Sequence, residues 1–171
     1  MKNALTRFYA LLCALSALSM VATFVVVMLG IIGRETDWFN LRGLDAYAGY
    51  SIAAALFLAL PETLRRGDHI RVTLLLQRLP ERARRLMEFW CLGAGVALAL
   101  YLAWYACRLV WVSMSTHDIS PSSDATPMWI PQIAMALGCI GLAVALAQAL
   151  FSHLRGDEFY QPISGEAAHV E

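Results

Sequence analysis

From Ala10 to Ile32 the sequence runs for 23 residues without a charged side chain. At 1.5 Å per residue a helix over that stretch is about 34 Å long, enough to cross the hydrocarbon core of a bilayer with some tilt. A soluble fold of this size has no interior that could take it. Three more apolar runs follow, and together they predict an all-α integral membrane protein with four transmembrane helices, at about residues 8–32, 44–64, 89–112 and 130–151. Lys2 and Arg7 ahead of the first run resemble the start of a secretion signal. The run itself is longer than the roughly 7–15 apolar residues of such a signal, so a retained anchor is expected.

Composition agrees. Only 15% of residues are charged and 59% are hydrophobic, against about 25% charged in ordinary soluble domains. With 171 residues there is room for four spans and their connections as a single membrane domain, 1–171. The formal net charge is zero, so there is no basic field of the kind that binds nucleic acid. Cys13, Cys91, Cys107 and Cys139 all lie in apolar runs without metal-ligand spacing, which suits small side chains inside spans.

The connection between the second and third spans is basic, with Arg65, Arg66, His69, Arg71, Arg78, Arg82, Arg84 and Arg85. Within it Val72, Leu75, Leu76 and Leu79 recur at helical spacing. A short amphipathic interfacial helix is predicted there, at about 70–79, lying at headgroup level. Pro80 suits the first position of the helix that follows, and Glu81 suits its first turn. Pro131 marks the start of the fourth span, and the tail 152–171 is polar. If the amino terminus is cytoplasmic, ten of the thirteen Lys and Arg residues fall on that side, leaving Arg34, Arg42 and Arg108 opposite. The positive-inside rule therefore predicts that both termini are cytoplasmic.

The spans carry no ionisable residue at their centres, where a carrier of ions or charged solutes would keep one. Glu62, Glu88 and Arg108 lie within a turn or two of a span end, and their long side chains can reach the headgroups. His69, His117, His153 and His169 are all outside the spans, so paired haem ligands within them are not available. No hydrolase, metalloprotease, phosphate-loop or dinucleotide motif occurs. The sequence predicts no enzyme, no metal site and no cofactor.

Small residues do recur at helix-packing spacing: Gly49 and Ala53, Ala55 and Ala59, Gly93 and Ala97, Ala134 and Gly138, and Gly141, Ala145 and Ala149. In lipid, helices associate through close backbone approach, which such positions permit. They fit packing among the four spans or against a partner's helices. Around Arg108 the third span sets Tyr101, Trp104, Tyr105 and Trp111, either an aromatic belt with a snorkelling arginine or a contact to a lipid or a subunit seam.

Three stretches together go further. Gly43-Leu44-Asp45-Ala46-Tyr47-Ala48-Gly49-Tyr50 is followed about 15 residues later by Arg65-Arg66-Gly67-Asp68-His69-Ile70-Arg71-Val72. Ala125-Thr126-Pro127-Met128-Trp129-Ile130-Pro131-Gln132 then leads into the last span. In order and spacing, over roughly residues 5–155, this resembles the small DctQ-type membrane subunit of tripartite ATP-independent periplasmic (TRAP) transporters. The chain departs from that pattern at Ala46 and Thr73, where acidic residues are usual, and at Ala53 to Leu56, where a tryptophan is usual.

The resemblance implies a bacterial inner-membrane complex for uptake of organic-acid-type solutes. In it a large many-span permease subunit carries substrate and sodium by an elevator motion, a soluble periplasmic protein captures the substrate, and the small subunit scaffolds the large one. It also points to Asp45, Tyr47 and Gly49 at the non-cytoplasmic end of a partner interface, to which the small-residue spacing adds Ala53 and the aromatic cluster adds Arg108. Asp45 could accept hydrogen bonds from Arg34, Arg42 or a partner, or cap the start of the second span. Arg65, Arg66, His69 and Arg71 would meet phospholipid headgroups or the partner's cytoplasmic edge; Trp129, Pro131 and Gln132 would form a periplasmic loop or fix the start of the last helix. Other classes open to such a sequence are a small oligomeric carrier or channel acting alone and an accessory subunit of another membrane complex.

Overall fold

The computed structural model describes residues 2–36, 43–66, 80–121 and 125–155. The helix predicted over 70–79, with His69 and Arg71, and the tail beyond Arg155 lie outside the described residues. Four long helices make up the rest: α1 (Lys2–Thr36), α2 (Leu44–Arg66), α3 (Glu81–Thr116) and α4 (Trp129–Arg155). Each is long and apolar enough to cross a membrane, and each extends past the apolar limits read from the sequence.

Local chemistry explains where they start and stop. Gly43 adopts φ 95°, a conformation open to glycine, and its carbonyl accepts bonds from the N–H groups of Ala46 and Tyr47. Asp45 is therefore the second residue of α2 and not its cap, although its charge there still favours the positive end of the helix dipole. Pro80 caps α3 with an extended backbone, φ −61° and ψ 149°, one position earlier than its expected place inside the helix. His117 closes α3 in the left-handed conformation, with its N–H donated to the Ser113 carbonyl. Pro131 is the third residue of α4, within the first turn, where a missing N–H leaves no helical bond unmade.

The helices pack as a row in the order α1, α2, α4, α3. Of these, α4 has two buried faces. Ala136, Cys139 and Ala143 meet Ala99, Ala103 and Ala106 of α3, while Ala145 meets Tyr9 of α1 and Leu64 of α2. Alanine predominates in this core, with Cys139 between α3 and α4 and with Tyr9, Leu12, Leu58 and Leu64 as its large buried side chains. Lipid gives apolar helices no solvent reason to associate, so the attraction is dispersion summed over close backbones, and small side chains bring them close.

The tightest approach lies where α2 crosses α4. Pro61 is fully buried inside α2; having no N–H, it leaves the Phe57 carbonyl four residues earlier without its helical donor. Gly138 of α4 lies directly against that carbonyl. A hydrogen on the glycine Cα occupies the direction in which a side chain would project, and a weak Cα–H···O contact covers the freed oxygen. One turn on, Gly141 receives the Pro61 ring, and a Cβ there would come within 2.6 Å of Pro61 Cγ and 2.8 Å of Leu12 Cδ1. Between α1 and α2, Ser16 donates its hydroxyl to the Ala55 carbonyl at 2.7 Å.

Candidate docking surfaces

At one end of the row the segment between α3 and α4 doubles back on itself. Ser120 N–H donates to the Thr126 carbonyl at 2.8 Å and Met128 N–H to the Asp118 carbonyl at 3.0 Å, forming an antiparallel bridge between Ile119 and Pro127. Two tyrosines of α2, one turn apart, hold this loop. Tyr50 donates its hydroxyl to Ser120 Oγ at 2.6 Å, and the Tyr47 hydroxyl shares a hydrogen bond with Thr126 Oγ1 at 2.9 Å. Their rings meet edge-on, with centroids 6.2 Å apart. Beside them Arg34 of α1 reaches Asp45 of α2 at 2.7 Å, one of the partners the sequence allowed. Trp129 and Pro131 are partly buried at the start of α4, and Gln132 turns a buried Oε1 inward that takes no hydrogen bond from a described residue.

These two links differ in weight. The Arg34–Asp45 pair is 70% and 86% exposed, so Asp45→Asn is expected to change stability by less than about 0.5 kcal/mol. Tyr50→Phe removes a 2.6 Å hydrogen bond to a buried hydroxyl, that of Ser120, and is expected to cost about 1 kcal/mol. Denaturation of both variants in detergent, with proteolysis of the 117–128 loop as a local readout, checks the order. Equal costs would contradict it.

At the other end, Tyr9 of α1 donates its hydroxyl to Gln148 Oε1 of α4 at 2.6 Å. Arg65 of α2 lies over the Tyr9 ring, 4.8 Å from its centroid, and pairs with Glu62 at 3.1 Å. Arg66 reaches the other oxygen of Glu62 at 3.2 Å. His153 Nδ1 lies 3.6 Å from Glu88 Oε2, joining α4 to α3. Arg65, one of the residues expected to meet headgroups or the partner's cytoplasmic edge, has a side chain 16% exposed, and Arg66 has one 59% exposed. Tyr9 and Gln148 went unremarked in the sequence, although a glutamine within an apolar span was a usable signal, since such a side chain in lipid needs a partner.

The remaining surface is apolar and faces outward. On α1 it includes Leu18, Met20, Val21 and Phe24. On α2, Asp45, Gly49, Ile52 and Leu56 form an exposed stripe at helical spacing. Gly49 has no atom within 4 Å of where its side chain would be, and Ala53 lies beside it, partly buried. Gly93 on α3 is equally open. The small residues therefore divide: Gly138, Gly141, Ala145 and Ala149 are used within the chain, whereas Gly49 and Gly93 are not. Arg108 is exposed on α3.

Among the described residues no group of histidine, cysteine and acidic side chains gathers as a metal site. The family model for the DctQ component of tripartite ATP-independent periplasmic transporters matches residues 23–156, well over half of the chain. The chain belongs to the DctQ family. No curated protein matches it. The DctQ match takes in α2, α3 and α4 whole, together with α1 from residue 23 onward, and so includes both tyrosines of the loop clasp and the Pro61–Gly138 crossing. This DctQ chain is the small membrane component of a TRAP transporter.

Proposed function

We propose that the chain is a non-catalytic scaffold, holding the large permease subunit of a sodium-coupled, binding-protein-dependent transporter for organic-acid-type solutes in the bacterial inner membrane. Both termini face the cytoplasm in this reading, and the periplasmic substrate-binding protein meets the complex from the side of the 117–128 loop. The observation that carries it is the row itself. Its inward faces are apolar and rich in alanine. Among the described residues its ion pairs and tyrosine hydrogen bonds lie toward the two helix ends, with the uncharged Ser16–Ala55 bond between them. Such a layer broadens a wall and has no charged path through its middle.

The permease would dock along the α2 stripe, where Gly49 and the neighbouring Ala53 allow another helix to approach closely. Tyr47 shapes that seam from within by holding the loop, and Asp45 keeps Arg34 at its edge. Arg66, His69 and Arg71 serve anionic headgroups or the cytoplasmic rim of the partner, with Arg65 bracing the helix end behind them. Trp129, Pro131 and Gln132 set the start of α4.

Affinity purification of the tagged full chain from its native membrane is expected to bring down a many-span permease, and deletion of the chain is expected to abolish uptake. Gly49→Leu is expected to lose the permease while leaving the chain folded. Solute transport by the chain alone in liposomes would overturn the proposal.

A further inference from the structure

Tyr101, Trp104, Tyr105, Arg108 and Trp111 lie along one side of α3, and all five are exposed, the two indoles by 71% and 74%. The other side of the same turns carries Ala103, Ala106 and Val110 and packs on α4, so the aromatic side looks outward from the edge of the row. Arg108 lies eight residues before the end of α3, about 12 Å along the axis. The span read from the sequence runs on to about residue 112, one turn past Arg108, so its Cα falls within that span and its stem can lift the guanidinium toward the headgroup level. Arg34, Arg65 and Arg66 each have a carboxylate within ion-pair distance. Among the described residues Arg108 has none, only the Tyr105 ring at 6.0 Å, itself 4.5 Å from Tyr101.

A guanidinium at the edge of a low-dielectric layer carries a charge that is costly unless an anion meets it. Its planar fork of donors matches two oxygens of a phosphate. Indole and phenol rings with an apolar body and a polar edge settle where acyl chains give way to headgroups, which is the level this arginine reaches. We propose that Arg108, framed by Trp104, Tyr105 and Trp111, binds the phosphodiester of a membrane phospholipid in the leaflet on the side of the 117–128 loop. The acyl chains lie along Trp104 and Tyr101, deeper in the same face.

Native mass spectrometry tests this on the complex purified through the full chain, exchanged into micelles containing phosphatidylglycerol. The wild type is expected to retain a bound phosphatidylglycerol, and Arg108→Gln to retain about tenfold less, as loss of a charge-assisted hydrogen-bond pair implies. Arg108→Lys is expected to fall between them, because a point charge lacks the fork. Trp111→Leu, on the open surface, tests the frame without touching the charge and is expected to lower retention severalfold. Excess inorganic phosphate is expected to leave the lipid bound. Equal retention by wild type and Arg108→Gln would overturn the site. So would displacement by inorganic phosphate, or an Arg108→Gln complex that keeps its lipid and sheds the permease, since the anion would then be a free ion or a partner's carboxylate.

Discussion

Gly138→Ala is expected to lower the stability of the folded chain by about 1–3 kcal/mol, and Gly138→Leu to prevent α2 and α4 from closing on each other. The obstacle is the Phe57 carbonyl, which is backbone and cannot rotate aside as a side chain would. The preference of a helix interior for alanine over glycine, roughly 0.5–1 kcal/mol, acts in the opposite direction and is outweighed. Gly93→Ala provides the control, because nothing lies within 4 Å of its added methyl. It is expected to be neutral or slightly stabilising. Thermal unfolding of both purified variants in the same detergent separates the two terms, and a Gly138→Ala protein as stable as Gly93→Ala would show that the crossing is looser than described.

Glu62→Leu is expected to cost about 2 kcal/mol, somewhat less than the roughly 3–5 kcal/mol that follows breaking a deeply buried ion pair. Arg65 and Glu62 are 16% and 15% exposed, so removing the carboxylate strands a guanidinium largely out of water. The Tyr9 ring at 4.8 Å offsets part of that loss. Arg66 is 59% exposed and can turn to solvent or headgroups at little cost. Glu62→Leu combined with Arg65→Leu is expected to recover much of the stability, since no buried charge is then left alone. A thermodynamic cycle over the two sites measures the coupling; a double variant no more stable than Glu62→Leu would refute the assignment.

The four helices were legible because each is a long apolar run, and the limits of such runs in lipid leave little choice of structure. The left-handed cap at His117 and the one-residue offset of Pro80 were not, since cap geometry depends on which carbonyl the next N–H meets. The small residues announced close packing without saying between which helices. Gly49 and Gly138 look alike in the sequence, yet one is open and the other lies against a backbone carbonyl. The polar contacts followed the same division. Arg34–Asp45 could be expected from two opposite charges flanking a short connection, whereas Tyr9–Gln148 joins residues 139 positions apart and depends on the order of the helices in the row.

The Pro61–Gly138 crossing also bears on how the helices find their alignment during insertion. α2 enters the membrane before α4 and carries an unanswered carbonyl at Phe57. Sliding α4 by one turn would bring Ala134 or Leu142 to that oxygen, a methyl or a larger group where only hydrogen fits. Sliding it by three residues would present Gly141 there, but would then set Val144 against the proline ring that Gly141 now receives. The proline and the two glycines therefore act as a vernier. Helices whose other contacts are apolar and carry little directional information can lock at one axial position, and a misaligned pair carries its own penalty until it slips into place.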